Sequence, residues 1–265
     1  MLKKRILTII NAIALAVTIF VNYLSNTRVF NGNTMKTISD RYHSLFTPAG
    51  YAFAIWGLIY LLLIGFVIYS FVILKREKES QIISQVGGSF IITCIVNCLW
   101  IIAWLYDYTA ISVLLMIILL VTLLRIVLRT KMELTNPPLR IVAFVWWPFS
   151  LYSGWISVAL IANIAAYLTK IGWNGFGISD TVWTIIMVLI AGLLYVFMTW
   201  KRNMREFALV GTWALIAVAV ANMRNSQIIY WVALITAIVI GVSSFAHSFK
   251  NFRGFGKTIE DYEGN

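Results

Sequence analysis

The sequence predicts an all-α membrane protein, a helical bundle of about eight transmembrane helices, and three observations carry that reading. Of 265 residues, 61% are hydrophobic and only 12% charged, whereas soluble domains carry about 25% charged residues. Mean hydropathy is +0.86. The apolar residues fall in continuous runs, most of them near the ~20 residues a helix needs to cross the hydrocarbon, not in the ten-residue alternating segments of a barrel.

Taken in order, the first run is Ile6–Leu24, behind the basic start Lys3, Lys4 and Arg5. A secretory signal begins in the same way, but this run outlasts a usual signal core and no clean cleavage site follows. A long loop, Ser25–Thr47, leads to the second run, Tyr51–Leu74. Pro48 stands just before it, where a missing N–H costs least, and Gly50 is expected to allow a tight entry. The third, fourth and fifth runs are Gly87–Leu105, Ala110–Leu128 and Ile141–Leu168. Val182–Trp200, Phe207–Asn222 and Ile228–Ser248 complete the set, the seventh being short for a span.

Charge supports the count. With the N-terminus inside, eight spans place Arg28, Lys36, Arg41, Lys170 and Arg224 on one side and the other sixteen of the 21 Lys and Arg on the opposite side. That asymmetry puts both termini in the cytoplasm. The net charge of +11 is then an orientation device and a contact for anionic lipid, not a nucleic-acid footprint.

Missing groups exclude several chemistries. The ten acidic residues fall in loops, tails or span ends, so the intramembrane carboxylate usual in ion-coupled transport is absent. The lysines also lie outside the deep membrane, leaving no anchor for a Schiff base. His43 and His247 belong to opposite sides, which disfavours a bis-histidine haem or a metal site. Cys94 and Cys98 lie one turn apart within a span and read as small packing residues. No phosphate loop and no conventional catalytic constellation is visible, so an enzyme is the weaker reading and no cofactor is called for.

Aromatic stripes are the remaining signal. Phe53, Trp56 and Tyr60 recur at i, i+3 and i+7 in the second span, and Asn97, Trp100 and Trp104 at the same intervals in the third. In the fifth, Tyr152, Trp155, Ala159 and Asn163 follow at i, i+3, i+7 and i+11. Each stripe occupies one helix face. Interfacial placement accounts for Trp146, Trp147, Trp173, Trp183, Trp200, Trp213 and Trp231. Trp56, Trp100 and Trp155 lie ~7 Å or more inside their spans, at 1.5 Å per residue. Facing lipid there would strand an indole N–H; facing protein, it can donate to Asn97 or Asn163. Buried asparagine also serves simply as interhelical glue.

Together these residues resemble the tryptophan-rich sensory protein (TspO/MBR) family, relatives of the mitochondrial translocator, or peripheral benzodiazepine receptor, protein. "PAGYAFAIWGLIY" is similar to the family's Pro-Pro-x-Trp-x-Phe followed by Val-Trp-x-x-Leu-Tyr, "NCLW" to its Asn-x-x-Trp, and "YSGWISVALIAN" to its Tyr-x-x-Trp with the alanine and asparagine beyond. Ala49 and Tyr51 replace the family's second proline and the next tryptophan, Leu151 replaces a proline, and no acidic residue stands in Ala110–Leu128. The resemblance covers residues 1–170. It implies a TspO-like five-helix core over 1–170, a three-helix extension over 171–249 and a cytoplasmic tail over 250–265.

The resemblance further implies that the core binds a porphyrin or another flat hydrophobic molecule, in a regulatory or transport role. The stripe residues Phe53, Trp56, Tyr60, Asn97, Trp100, Trp104, Tyr152, Trp155 and Asn163 are the expected ligand contacts, beneath the 25–47 loop. Membrane lipid is the other expected partner, nucleic acid is not one, and a homodimer is left open. The alternatives are a transporter of an uncharged or amphipathic solute, a light-dependent porphyrin-degrading enzyme, and a structural membrane protein without a small ligand.

Overall fold

The computed structural model describes residues 2–76, 79–135 and 137–263, with side chains described as far as 249. Glu77 and Lys78 lie outside the described residues, as do the side chains of the expected 250–265 tail. The helices are α1 (Leu2–Leu24), α2 (Met35–Arg41), α3 (Ile55–Val72), α4 (Gln81–Leu105), α5 (Thr109–Arg129), α6 (Trp147–Lys170), α7 (Asp180–Arg202), α8 (Arg205–Asn222) and α9 (Gln227–Glu263). Among the described residues, eight helical segments are long and apolar enough to cross a membrane. The expected all-α bundle is therefore the fold, and the short seventh span is a helix of 18 residues.

The helices differ in how much they bury, and α1 buries only a narrow face. In α1 the buried residues are Thr8, Asn11, Leu15 and Thr18, three or four apart and hence one stripe. Lipid is as apolar as leucine, so such contacts rely on close fit and hydrogen bonds, not on expulsion of water. Thr18 Oγ1 donates to the α4 carbonyl of Cys94 at 3.4 Å, and Cys98 lies 3.7 Å from the same hydroxyl. Both cysteines are free.

The 25–47 loop is more structured than a bare connection. Thr34 and Thr37 form a reciprocal capping box that starts α2, satisfying two donors at the helix mouth. The chain then enters α3 through a 3₁₀ turn, Gly50–Ala54. Gly50 differs from expectation there: its φ is not positive, and a Cβ would meet nothing within 4 Å. The tight entry is made by the 3₁₀ turn and Pro48, and does not require glycine.

A second difference lies before α6. A helical turn, Leu139–Ile141, leads into a π-helical turn, Val142–Trp146. Pro148 sits in the first turn of α6, where its absent N–H loosens the ladder and a wider turn is tolerated. Trp146, in that turn, is only 3% exposed, so its ring packs on protein. Trp147, the next residue, is 37% exposed.

α8 docks against α6 at Gly154. A Cβ there would lie 2.9 Å from the Phe207 carbonyl oxygen and 3.2 Å from Val210 Cβ, so the two backbones meet because position 154 has no side chain. Tyr195 of α7 donates its hydroxyl to the Gly154 carbonyl at 2.8 Å. Charged residues collect at the two ends. Asp107 pairs with Arg41 at 3.6 Å and Lys170 at 3.2 Å at one end. At the other, Glu79 pairs with Arg140 at 2.6 Å and Arg76 at 3.5 Å. The hydrogen bonds from Arg140 hold the Glu79 carboxyl below its ordinary value.

Candidate functional site

The three stripes converge. Trp56 of α3 stacks on Trp100 of α4, centroids 6.1 Å apart, and meets Trp155 of α6 edge-on at 6.4 Å. Tyr152 meets the same indole edge-on at 5.6 Å, Tyr60 stacks on it at 5.5 Å, and Phe53 meets Trp155 at 6.0 Å. Offset and edge-to-face geometries at these distances are the favoured ones, contributing about 0.5–1.5 kcal/mol per pair beyond area burial. Trp56 is the hub because α3 presents it where α4 and α6 both face.

Two hydrogen-bond chains fix this wall. Trp100 Nε1 donates to Asn163 Oδ1 at 2.9 Å, and Asn163 Nδ2 donates to Ser112 Oγ at 2.8 Å; one asparagine thus joins α4, α5 and α6. Asn97 Nδ2 donates to the Tyr152 hydroxyl at 2.9 Å and its Oδ1 accepts from Asn22 Nδ2 at 2.9 Å. Asn97 serves a tyrosine, then, and Asn163 serves the indole. Trp155 is the exception: its Nε1 is buried and has no hydrogen-bond partner, although the ring is 2% exposed.

A cavity of about 60 Å³ lies against this wall, lined by Phe53, Trp56, Trp100, Trp104, Trp155 and Asn163. Six of the nine expected contacts therefore share one space. Tyr60 instead lines a neighbouring cavity of about 310 Å³ with Asn22, Tyr23 and Ser25. Tyr152 and Asn97 line neither and stand behind the wall as its hydrogen-bonded backing. Phe53, Trp56 and Met35 line both cavities and form the partition between them.

The stripes gave no signal for the other side of the small cavity. Met35, Ser39, Tyr42, Thr47 and Pro48 close it from the loop, and Met116 from α5. The loop is tied down where it crosses the bundle: Asn33 Nδ2 donates to the Leu105 carbonyl at 2.9 Å, Trp104 Nε1 to the Met35 carbonyl at 3.4 Å, and the Tyr42 hydroxyl to Asp107 at 2.8 Å. From the other flank, Asn222 Nδ2 of α8 donates to the Leu45 carbonyl at 2.8 Å, and the Ala49 amide donates to the Ala217 carbonyl at 3.0 Å. No charged residue lines the small cavity, and among the described residues no group of three or more His, Cys, Asp or Glu could hold a metal.

A family model described as TSPO-like protein matches residues 8–246, running past Lys170 through α7 and α8 into α9. No curated protein and no solved structure matches the chain.

Proposed function

This membrane protein belongs to the TSPO-like family, and from that premise we propose that it binds a flat hydrophobic molecule of porphyrin type against the Trp56–Trp100–Trp155 wall, in a sensory or regulatory role. The observation that carries the reading is the Trp155 indole. It lines the cavity, yet its buried N–H has no partner. A buried donor left unmade costs about 1–3 kcal/mol, and a ligand with an acceptor at its edge removes that cost. The uncharged, aromatic lining supports the same ligand class.

Size requires an opening. Drug-sized ligands occupy cavities of about 300–1,000 Å³, and the space at the wall is about 60 Å³. Rotation of Phe53 and Trp56 would join it to the adjoining 310 Å³, at the lower end of that range. Binding is thus an induced opening in which Trp56 changes partners. The charge split supports an orientation with the roof loop outside and both termini in the cytoplasm of a bacterial inner membrane.

The test is titration of the purified full chain with a free-base porphyrin, followed by tryptophan quenching. Trp155→Leu keeps the span apolar and removes both ring and donor; affinity should fall roughly tenfold, equivalent to about 1.4 kcal/mol. Trp200→Leu, distant from the wall, should bind as the parent does. Parent-like binding by both variants would falsify this site. Porphyrin flux into proteoliposomes, if observed, replaces sensing with transport.

A further inference from the structure

A third cavity, of about 320 Å³, opens on the far side of the roof loop, between the end of α6 and the start of α7. Its lining differs in kind from the indole wall. Trp173 and Trp183 stand on it with ring centroids 5.1 Å apart and planes inclined at 53°. Asp180 is the one acidic residue in the lining, and no Lys or Arg is there to neutralise it. Among the described residues its carboxylate makes no ion pair; the acids that do are Asp40, Glu79 and Asp107. His43 closes the loop side, and Leu168 and Met187 supply apolar floor.

The aromatic pair is built, not incidental. Trp183 Nε1 donates to the Gly175 carbonyl at 2.8 Å. Gly175 has φ +65°, and a Cβ there would lie 3.0 Å from the same nitrogen, so the turn is shaped around the ring. Asn174 Oδ1 accepts from the Phe176 amide at 3.1 Å and holds that turn. Interfacial tryptophans with no role but anchoring need no such support.

We propose that this cavity binds an alkylammonium group, held by the faces of Trp173 and Trp183 and by the Asp180 carboxylate. A cation is attracted to an indole face within about 6 Å of its centroid, and centroids 5.1 Å apart let one cation lie within reach of both. A single carboxylate balances a single positive charge, and the apolar floor accepts N-methyl or methylene groups while rejecting a fully hydrated metal ion. The size suits a choline or ethanolamine head, borne either by a free solute or by a lipid at the membrane boundary. The inference is independent of the porphyrin reading, since this cavity shares no lining residue with either space at the wall.

The experiment uses the full chain in nanodiscs of phosphatidylglycerol, which carry no amine. Choline binding is read by saturation-transfer NMR on its methyl protons, with 3,3-dimethylbutan-1-ol as the neutral isostere. Choline should bind and the alcohol should bind at least tenfold more weakly. Asp180→Asn and Trp173→Leu should each weaken choline at least tenfold, and Asp40→Asn, on the exposed face of α2, should not. Nanodiscs with phosphatidylcholine then assign the source: loss of free-choline binding gives the lipid head, and retention gives a soluble solute. Equal binding of alcohol and choline by the parent, which needs no variant to fold, overturns the proposal. So does an absence of choline binding, or choline binding unchanged in folded Asp180→Asn.

Discussion

Trp100 Nε1 and Asn163 Oδ1 lie 2.9 Å apart in the interior of the bundle, and this one contact joins the two helices that carry most of the aromatic wall. Asn163→Leu would leave the indole N–H stranded and remove the donor to Ser112. Interhelical bonds within membranes contribute about 0.6–2 kcal/mol, and a stranded donor adds to the loss. Unfolding in mixed micelles should show a loss of about 1–2 kcal/mol, and Asn163→Leu on a Trp100→Phe background should cost measurably less.

Gly154 permits α8 to reach α6. Gly154→Ala would set a methyl 2.9 Å from the Phe207 carbonyl, a backbone atom that cannot turn aside. Overpacking of this kind costs about 1–3 kcal/mol, and the detergent melting temperature should fall accordingly. Gly88→Ala is the control, since a Cβ there meets nothing within 4 Å; its melting temperature should equal or slightly exceed the parent's.

The roof loop is held in part by α8. Asn222→Ala would remove the donor to the Leu45 carbonyl without touching a residue that lines the aromatic cavity. Hydrogen exchange of the amides of residues 43–47 and 49 should accelerate severalfold while the α4 and α6 interiors keep their protection. Unchanged exchange in the loop would show that the Ala49–Ala217 bond suffices.

Stability should depend on pH through Glu133, in the loop after α5. Burial pushes its carboxyl up to about 7, the neighbouring Glu206 adds to the rise, and Arg205 opposes it. Raised above the ordinary 4.5, the folded state binds more protons than the unfolded one between those values, so stability falls as pH rises through that window and stays lower above it. The full shift corresponds to ~3 kcal/mol, and partial solvent screening reduces it to about 1–2 kcal/mol. Glu133→Gln should flatten the melting profile between the ordinary 4.5 and about 7; a parent profile that rises with pH across that window would contradict the assignment.

Reporter fusions after Lys170 and at the C-terminus should fall on opposite sides of the membrane. The motive is the sixteen-to-five division of Lys and Arg. Reporters on the same side would contradict the orientation.

The fold class was legible because a membrane imposes it. Every backbone polar group must be satisfied within its own segment, so long apolar runs can only become helices, and among the described residues the eight runs match the eight helical segments long and apolar enough to cross a membrane. The convergence of the stripes was legible for a related reason. An indole deep in a span must face protein, and the 3.6-residue period fixes which neighbours face with it. The burial of Trp146 was not legible, because a tryptophan near a span end looks the same in sequence whether the helix is regular or passes through a π turn.

What the sequence alone determined was the set of inward faces. What only tertiary structure decided was how those faces divide the interior. Asn97 and Tyr152 carry the same pattern as Trp100 and Trp155, yet they became backing where the latter became wall. Met35 and Tyr42, at the two ends of the short helix α2, and Pro48 beyond it supplied the roof. Helical period sets direction about one axis, but depth, partner and enclosed volume depend on how several axes approach one another. That approach is set by contacts such as Gly154 on Phe207 and Asn222 on Leu45, between residues far apart in the chain. No local pattern encodes them.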